Sequence, residues 1–121
     1  MPPVAAEAAE EAPRTLLLVR HGRTSWNAEV RAQGHADVPL DEIGHEQAAE
    51  LGRRLVHSLA DHDVTGLWSS DLTRATQTAA EVAGMIGLPV RYDERLREFN
   101  VGERQGLTHA EFTERFPDHP P

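Results

Sequence analysis

Three short polar clusters carry the side chains best suited to chemistry: Arg20-His21-Gly22, Asp71-Leu72-Thr73-Arg74 and Arg97-Glu98. Arginine presents a planar fork of donors matched to phosphate oxygens and stays charged at any relevant pH. A neutral imidazole offers a ring lone pair able to attack phosphorus. A carboxylic acid can protonate a departing alkoxide. Gly22 allows close approach of backbone to a ligand. Arg74 stands near the start of an expected helix, where a cation is electrostatically disfavoured, so a functional reason for it gains weight. The same helix start offers backbone N–H donors to an anion. Brought together, this set fits phosphate-ester hydrolysis or transfer through a phosphohistidine.

The pattern of elements can bring it together. Residues 15–20 contain four consecutive aliphatic side chains, Leu16 to Val19, the mark of a strand buried on both faces of a parallel sheet. A polar loop over 21–40 follows. Asp41 is expected to cap a helix reaching about Leu59, with Ile43, Gln47, Leu51, Leu55 and Leu59 on its inward face. Residues 64–70 read as a second strand. Ser70 or Asp71 is expected to cap a second helix, which Gly87 and Pro89 end. Residues 90–92 make a third strand, and Thr108-x-x-Glu111 has the spacing of a capping box for a last helix. Alternating strands and helices imply βαβ units and a mainly parallel sheet, whose ligands bind beyond the carboxyl ends of the strands. All three clusters fall there. Trp26 and Trp68 are expected in or near the core.

Composition narrows the alternatives. The 121 residues carry 12 basic and 20 acidic side chains, a formal charge of -8, and every basic residue is arginine. Net negative charge opposes non-specific binding to nucleic acid or to an anionic membrane surface. The chain has no cysteine, which removes disulfides and thiol catalysis. No apolar run approaches the roughly 18 residues of a membrane span, and a cytoplasmic location is expected. Residues 1–14 are mostly Ala, Glu and Pro, a composition expected to form a disordered tail. His35, His45, His57, His62, His109 and His119 read as surface residues, and no spacing suggests a metal site.

Several longer motifs carry a resemblance. Arg20-His21-Gly22-Arg23-Thr24-Ser25-Trp26-Asn27 resembles the signature of the histidine phosphatase (phosphoglycerate mutase-like) superfamily. Gln33-Gly34, Asp37-x-Pro39-Leu40, Ser69-Ser70-Asp71-Leu72-x-Arg74-Ala75 and Leu96-Arg97-Glu98 continue it. The resemblance implies a three-layer α/β/α domain with a mainly parallel sheet, of which residues 15–121 would be the N-terminal two thirds, the C-terminal part missing. It implies His21 as the phosphorylated nucleophile, Arg20 and Arg74 as phosphate clamps and Glu98 as general acid. Asn27, Gly22, Thr24, Gln33 and Gly34 would contact phosphate or substrate. No metal and no cofactor is implied.

Two departures qualify that picture. Arg104 stands where small-substrate phosphatases of the family usually carry a tryptophan, and is expected to loosen the loop that holds Glu98. The family's second catalytic histidine has no counterpart, since none of the other histidines follows an apolar strand. The expected function is a phosphomonoesterase acting on a small phosphorylated metabolite, with doubtful activity in this chain. The alternatives are a phosphoglycerate mutase and an inactive phosphate-binding remnant. No nucleic-acid or membrane partner is expected, and the sequence does not fix the oligomeric state.

Overall fold

A computed structural model describes residues 14–120. Apart from Arg14, the expected tail lies outside the described residues. Among the described residues four helices and two short strands follow one another: α1 Ser25–Ala28, α2 Glu42–Ser58, β1 Leu67–Ser69, α3 Thr73–Ile86, β2 Val90–Tyr92 and α4 His109–Arg115. Single 3-10 turns occupy Glu94–Leu96 and Gly102–Arg104.

Local chemistry explains the helix ends. Asp41 caps α2 by accepting a hydrogen bond from Gly44 N. Thr108 and Glu111 close the expected capping box on α4. Gly87 ends α3 in the left-handed conformation. Helix α1, inside the stretch expected to be loop, is nucleated by a second capping box between Thr24 and Asn27. The cap of α3 differs from expectation. Neither Ser70 nor Asp71 serves: Leu72 holds the cap position without a side-chain bond. The Asp37 carboxylate instead reaches across, accepting from Thr73 N at 2.6 Å and from Thr73 Oγ1 at 2.8 Å.

The strands β1 and β2 pair in parallel, Leu67 with Val90 through Ser69 with Tyr92, and α3 is the crossover between them. This is an α/β arrangement with a small parallel sheet. Helix α3 packs on both strands, and α2 packs on α3. The core consists of Leu40, Ala48, Leu72, Ala79, Val82 and Phe112.

Three expectations fail for identifiable reasons. Residues 15–20 form no strand, because no described segment pairs with them; Leu16, Leu17, Leu18 and Val19 are 81%, 54%, 83% and 43% exposed. On α2 the buried face is not the aliphatic stripe but Gly44, Ala48 and Gly52. A Cβ on Gly52 would lie 2.9 Å from the Glu81 carbonyl oxygen on α3, so small residues are what let the two helices approach. Ile43 stays exposed on the other side. Trp68, finally, is 53% exposed and lies beneath the Arg91 guanidinium, 5.2 Å from the ring centroid.

Candidate active site

Residues 21–24 are laced between α2 and α3. Gly22 N donates to Thr78 Oγ1 on α3 at 3.0 Å, and Thr78 Oγ1 donates to the Arg74 carbonyl at 2.8 Å. On the α2 side Arg23 N donates to Gln47 Oε1 at 2.9 Å, and Arg23 Nε donates to Asp41 Oδ2 at 2.6 Å. Burial pushes the Asp41 carboxyl up, yet hydrogen bonds from Gly44 N and Arg23 outweigh it and hold the group below its ordinary value. The two backbones nearly touch. A Cβ on Gly22 would lie 2.5 Å from Gly44 O, and one on Gly44 would lie 2.0 Å from Arg23 O. Gly22 therefore packs its backbone against helix α2.

This lacing fixes His21. Its Nδ1 lies 2.6 Å from the Gly22 carbonyl oxygen. A carbonyl only accepts, so Nδ1 donates in this bond, and the neutral tautomer compatible with it has its lone pair on Nε2. A cavity of about 250 Å³ lies beside it, lined by Arg20, His21, Gly22, Gln47, Ala48, Leu51 and Thr78. Arg20 is exposed.

Arg74 and Glu98 form a second centre. Arg74 is 1% exposed; its Nη2 donates to Gly34 O at 2.7 Å and its Nη1 to Ala36 O at 2.6 Å. The same Nη2 lies 3.5 Å from Glu98 Oε1, on a side chain 46% exposed. Gly34 adopts φ +54, and a Cβ there would sit 2.7 Å from Val101 Cγ2, so glycine satisfies both the turn and the close approach. The segment around Glu98 is tied down by Arg97, whose Nε and Nη2 each donate to Asp71 at 2.5 Å, and by His35 Nε2, 2.7 Å from Glu98 O. The Arg97 fork holds the Asp71 carboxyl below its ordinary value.

The structure thus joins Arg74 with Glu98, and links Gly22 to α3 one turn from Arg74. Among the described residues no hydrogen bond or ion pair joins Arg20 or His21 to Arg74 or Glu98. The N-terminus of α3, expected to receive an anion, holds the Asp37 carboxylate. Thr24 is 0% exposed and donates to Gln33 Oε1 at 2.7 Å, while Thr24 N donates to Asn27 Oδ1 at 3.0 Å. Thr24, Asn27 and Gln33 therefore spend these groups on one another. Gln47, Thr78 and Asp37 are the positioning groups that the sequence reading passed over. Thr78 had a signal: it stands four residues after Arg74, on the same helix face.

Arg104 has a partner in α4. The guanidinium lies 4.0 Å over the Phe112 ring, and Gly106 N donates to Ala32 O at 2.8 Å. Among the described residues no three His, Asp or Glu side chains cluster as a metal site would, and no helix is long and apolar enough to cross a membrane.

Comparison with known proteins agrees with the motifs. The chain is 41% identical over 104 residues to phosphoglycerate mutase-like protein 4 of Arabidopsis thaliana, covering 85% of this chain and 44% of that protein. It is 42% identical over 98 residues to glucosyl-3-phosphoglycerate phosphatase of Mycolicibacterium vanbaalenii, covering 81% and 42%. The fold superposes on a mycobacterial glucosyl-3-phosphoglycerate phosphatase solved in complex with VO3, with a TM-score of 0.71 and 40% identity over 80% of this chain and 44% of that one. The chain spans less than half the length of these relatives. The profile of the histidine phosphatase superfamily, branch 1, matches residues 16–121. With that match running from before His21 to beyond Glu98, the chain belongs to the histidine phosphatase superfamily.

Proposed function

We propose that this chain carries the phosphoryl-accepting part of a phosphomonoesterase site that acts on a small phosphorylated metabolite. The observation that carries the reading is the hydrogen bond between His21 Nδ1 and the Gly22 carbonyl oxygen, 2.6 Å long, which assigns the lone pair of the neutral ring to Nε2 on a side chain that lines a cavity. Nε2 attacks phosphorus as the ester P–O bond breaks. The Glu98 carboxylic acid gives its proton to the departing alkoxide. Water then attacks the phosphohistidine, losing a proton to the Glu98 carboxylate, and orthophosphate leaves with the neutral imidazole restored. Arg20 and Arg74 hold the phosphoryl oxygens, with Gly22, Thr24, Asn27, Gln33 and Gly34 forming the surrounding loop. Neither a metal ion nor an organic cofactor takes part. The phosphatase relatives favour a phosphorylated glyceryl or sugar compound as substrate.

Hydrolysis of an aryl phosphate tests the reading. It is expected to persist in chelator and to vanish in His21→Ala. Undiminished turnover in that variant, or turnover that needs added metal, contradicts it. A phosphoglycerate mutase remains the second reading, favoured by the mutase-like relative. Phosphoryl exchange between phosphoglycerates tells the two apart. A third reading, a non-catalytic phosphate binder, predicts phosphate affinity without turnover.

A further inference from the structure

We propose that Arg97 and Asp71 are positioning residues that hold the Glu98 carboxylate beside Arg74. This rests on the reading of Glu98 and Arg74 as one phosphate-handling centre. Besides Arg97, the segment after the turn Glu94–Leu96 is held by His35 on Glu98 O and by Val101 against Gly34. Among the described residues, positions 98–101 donate no backbone N–H to another backbone, and Glu98, Phe99 and Asn100 are exposed. Arg97 is extended, φ -63 and ψ 148, so neighbouring side chains leave the backbone in different directions. One goes to Asp71 and the next to Arg74.

Both anchors land on the segments that carry Arg74. Asp71 stands three residues before it, and His35, bonded to Glu98 O, follows Gly34, whose carbonyl accepts from Arg74 Nη2. A two-point fork between guanidinium and carboxylate fixes orientation as well as distance. The anchoring therefore reaches past the ion pair to the placement of the adjacent carboxyl.

Titration of the chain with inorganic phosphate, read by calorimetry, tests this through a double-mutant cycle. Glu98→Gln removes a negative charge beside the bound anion and is expected to tighten phosphate about fivefold, the scale of one unit-charge repulsion at 4 Å in water. In an Arg97→Ala background the carboxylate is no longer held, and the same change is expected to alter affinity less than about 1.5-fold. The charge-exchanged pair Asp71→Arg with Arg97→Asp is expected to restore the effect. Asp71→Asn serves in place of Arg97→Ala should that variant not fold, with the Glu98→Gln effect reduced. A purely structural role would lower stability and leave the effect of Glu98→Gln unchanged; an undiminished effect in a folded Arg97→Ala protein overturns the proposal. No phosphate binding by the unmodified chain overturns the proposed function itself, and the positioning role with it.

Discussion

In the proposed mechanism a single carbonyl oxygen decides which nitrogen of His21 reacts. The Gly22 carbonyl oxygen accepts a hydrogen bond from His21 Nδ1, and that carbonyl is held because Gly22 N is bonded to Thr78 and its backbone rests on Gly44. Arg74 shows the same dependence of chemistry on architecture, since it is buried and spends two donors on the carbonyls of Gly34 and Ala36. Arg74→Ala is expected to weaken phosphate or vanadate binding by about 1.5–3 kcal/mol, the scale of a charge-assisted hydrogen bond. It also strands two carbonyls and is expected to lower stability by about 1–3 kcal/mol. Calorimetry at a temperature where circular dichroism finds the variant folded separates the two effects; unchanged phosphate affinity there would make Arg74 structural alone. Thr24→Ala removes a helix cap and the partner of Gln33, and urea unfolding is expected to record a loss of about 0.5–2 kcal/mol. Residue types and spacing singled out His21, Arg74 and Glu98, and the structure brings Arg74 and Glu98 together. The burial of Thr24 was not legible, because it follows from where α1 turns the chain.

At the scale of elements, the sequence was most legible where the cause is local. The ends of α2 and α4 lie where their caps put them, and Gly87 stops α3. Long-range causes were hidden. Asp37 caps α3 from 36 residues away, and the inward face of α2 is chosen by how closely two backbones approach rather than by apolarity. Gly44→Ala tests that choice. Its Cβ would meet Arg23 O at 2.0 Å, so a stability loss of about 1–3 kcal/mol is expected, with displacement of the His21 loop visible in NMR shifts of Gly22 and Arg23. Wild-type stability would contradict the close packing. The ion pair between Asp71 and Arg97 sets a pH dependence. The folded-state pKa of Asp71 is lowered, chiefly by the Arg97 hydrogen bond. Its contribution is therefore present above the ordinary Asp value of about 3.9 and is lost as pH falls through the lower folded value. The stability difference between wild type and Arg97→Ala is expected to be constant near neutrality and to shrink below about pH 4. A difference that persists at pH 2 would mean that Arg97 stabilises by packing alone.

For the whole molecule, the aliphatic run Leu16 to Val19 lies uncovered and Ile43 is exposed on α2. The run reads as a strand because four aliphatic residues in a row expect neighbours on both sides; strand pairing is a property of the fold and cannot be supplied by the segment itself. Unpaired apolar chain of this kind is prone to association. The isolated chain is expected to bind a hydrophobic dye or to aggregate, and a cooperatively melting monomer that ignores the dye would contradict this. The central claim, that His21 accepts the phosphoryl group on Nε2, is tested most directly by trapping. The chain is incubated with a reactive aryl phosphate labelled with ³²P, quenched in alkali, and mapped by mass spectrometry and ³¹P NMR. An acid-labile, alkali-stable label confined to His21 Nε2 and absent from His21→Ala is the expected result; label on another residue, or equal labelling of His21→Ala, would contradict the account.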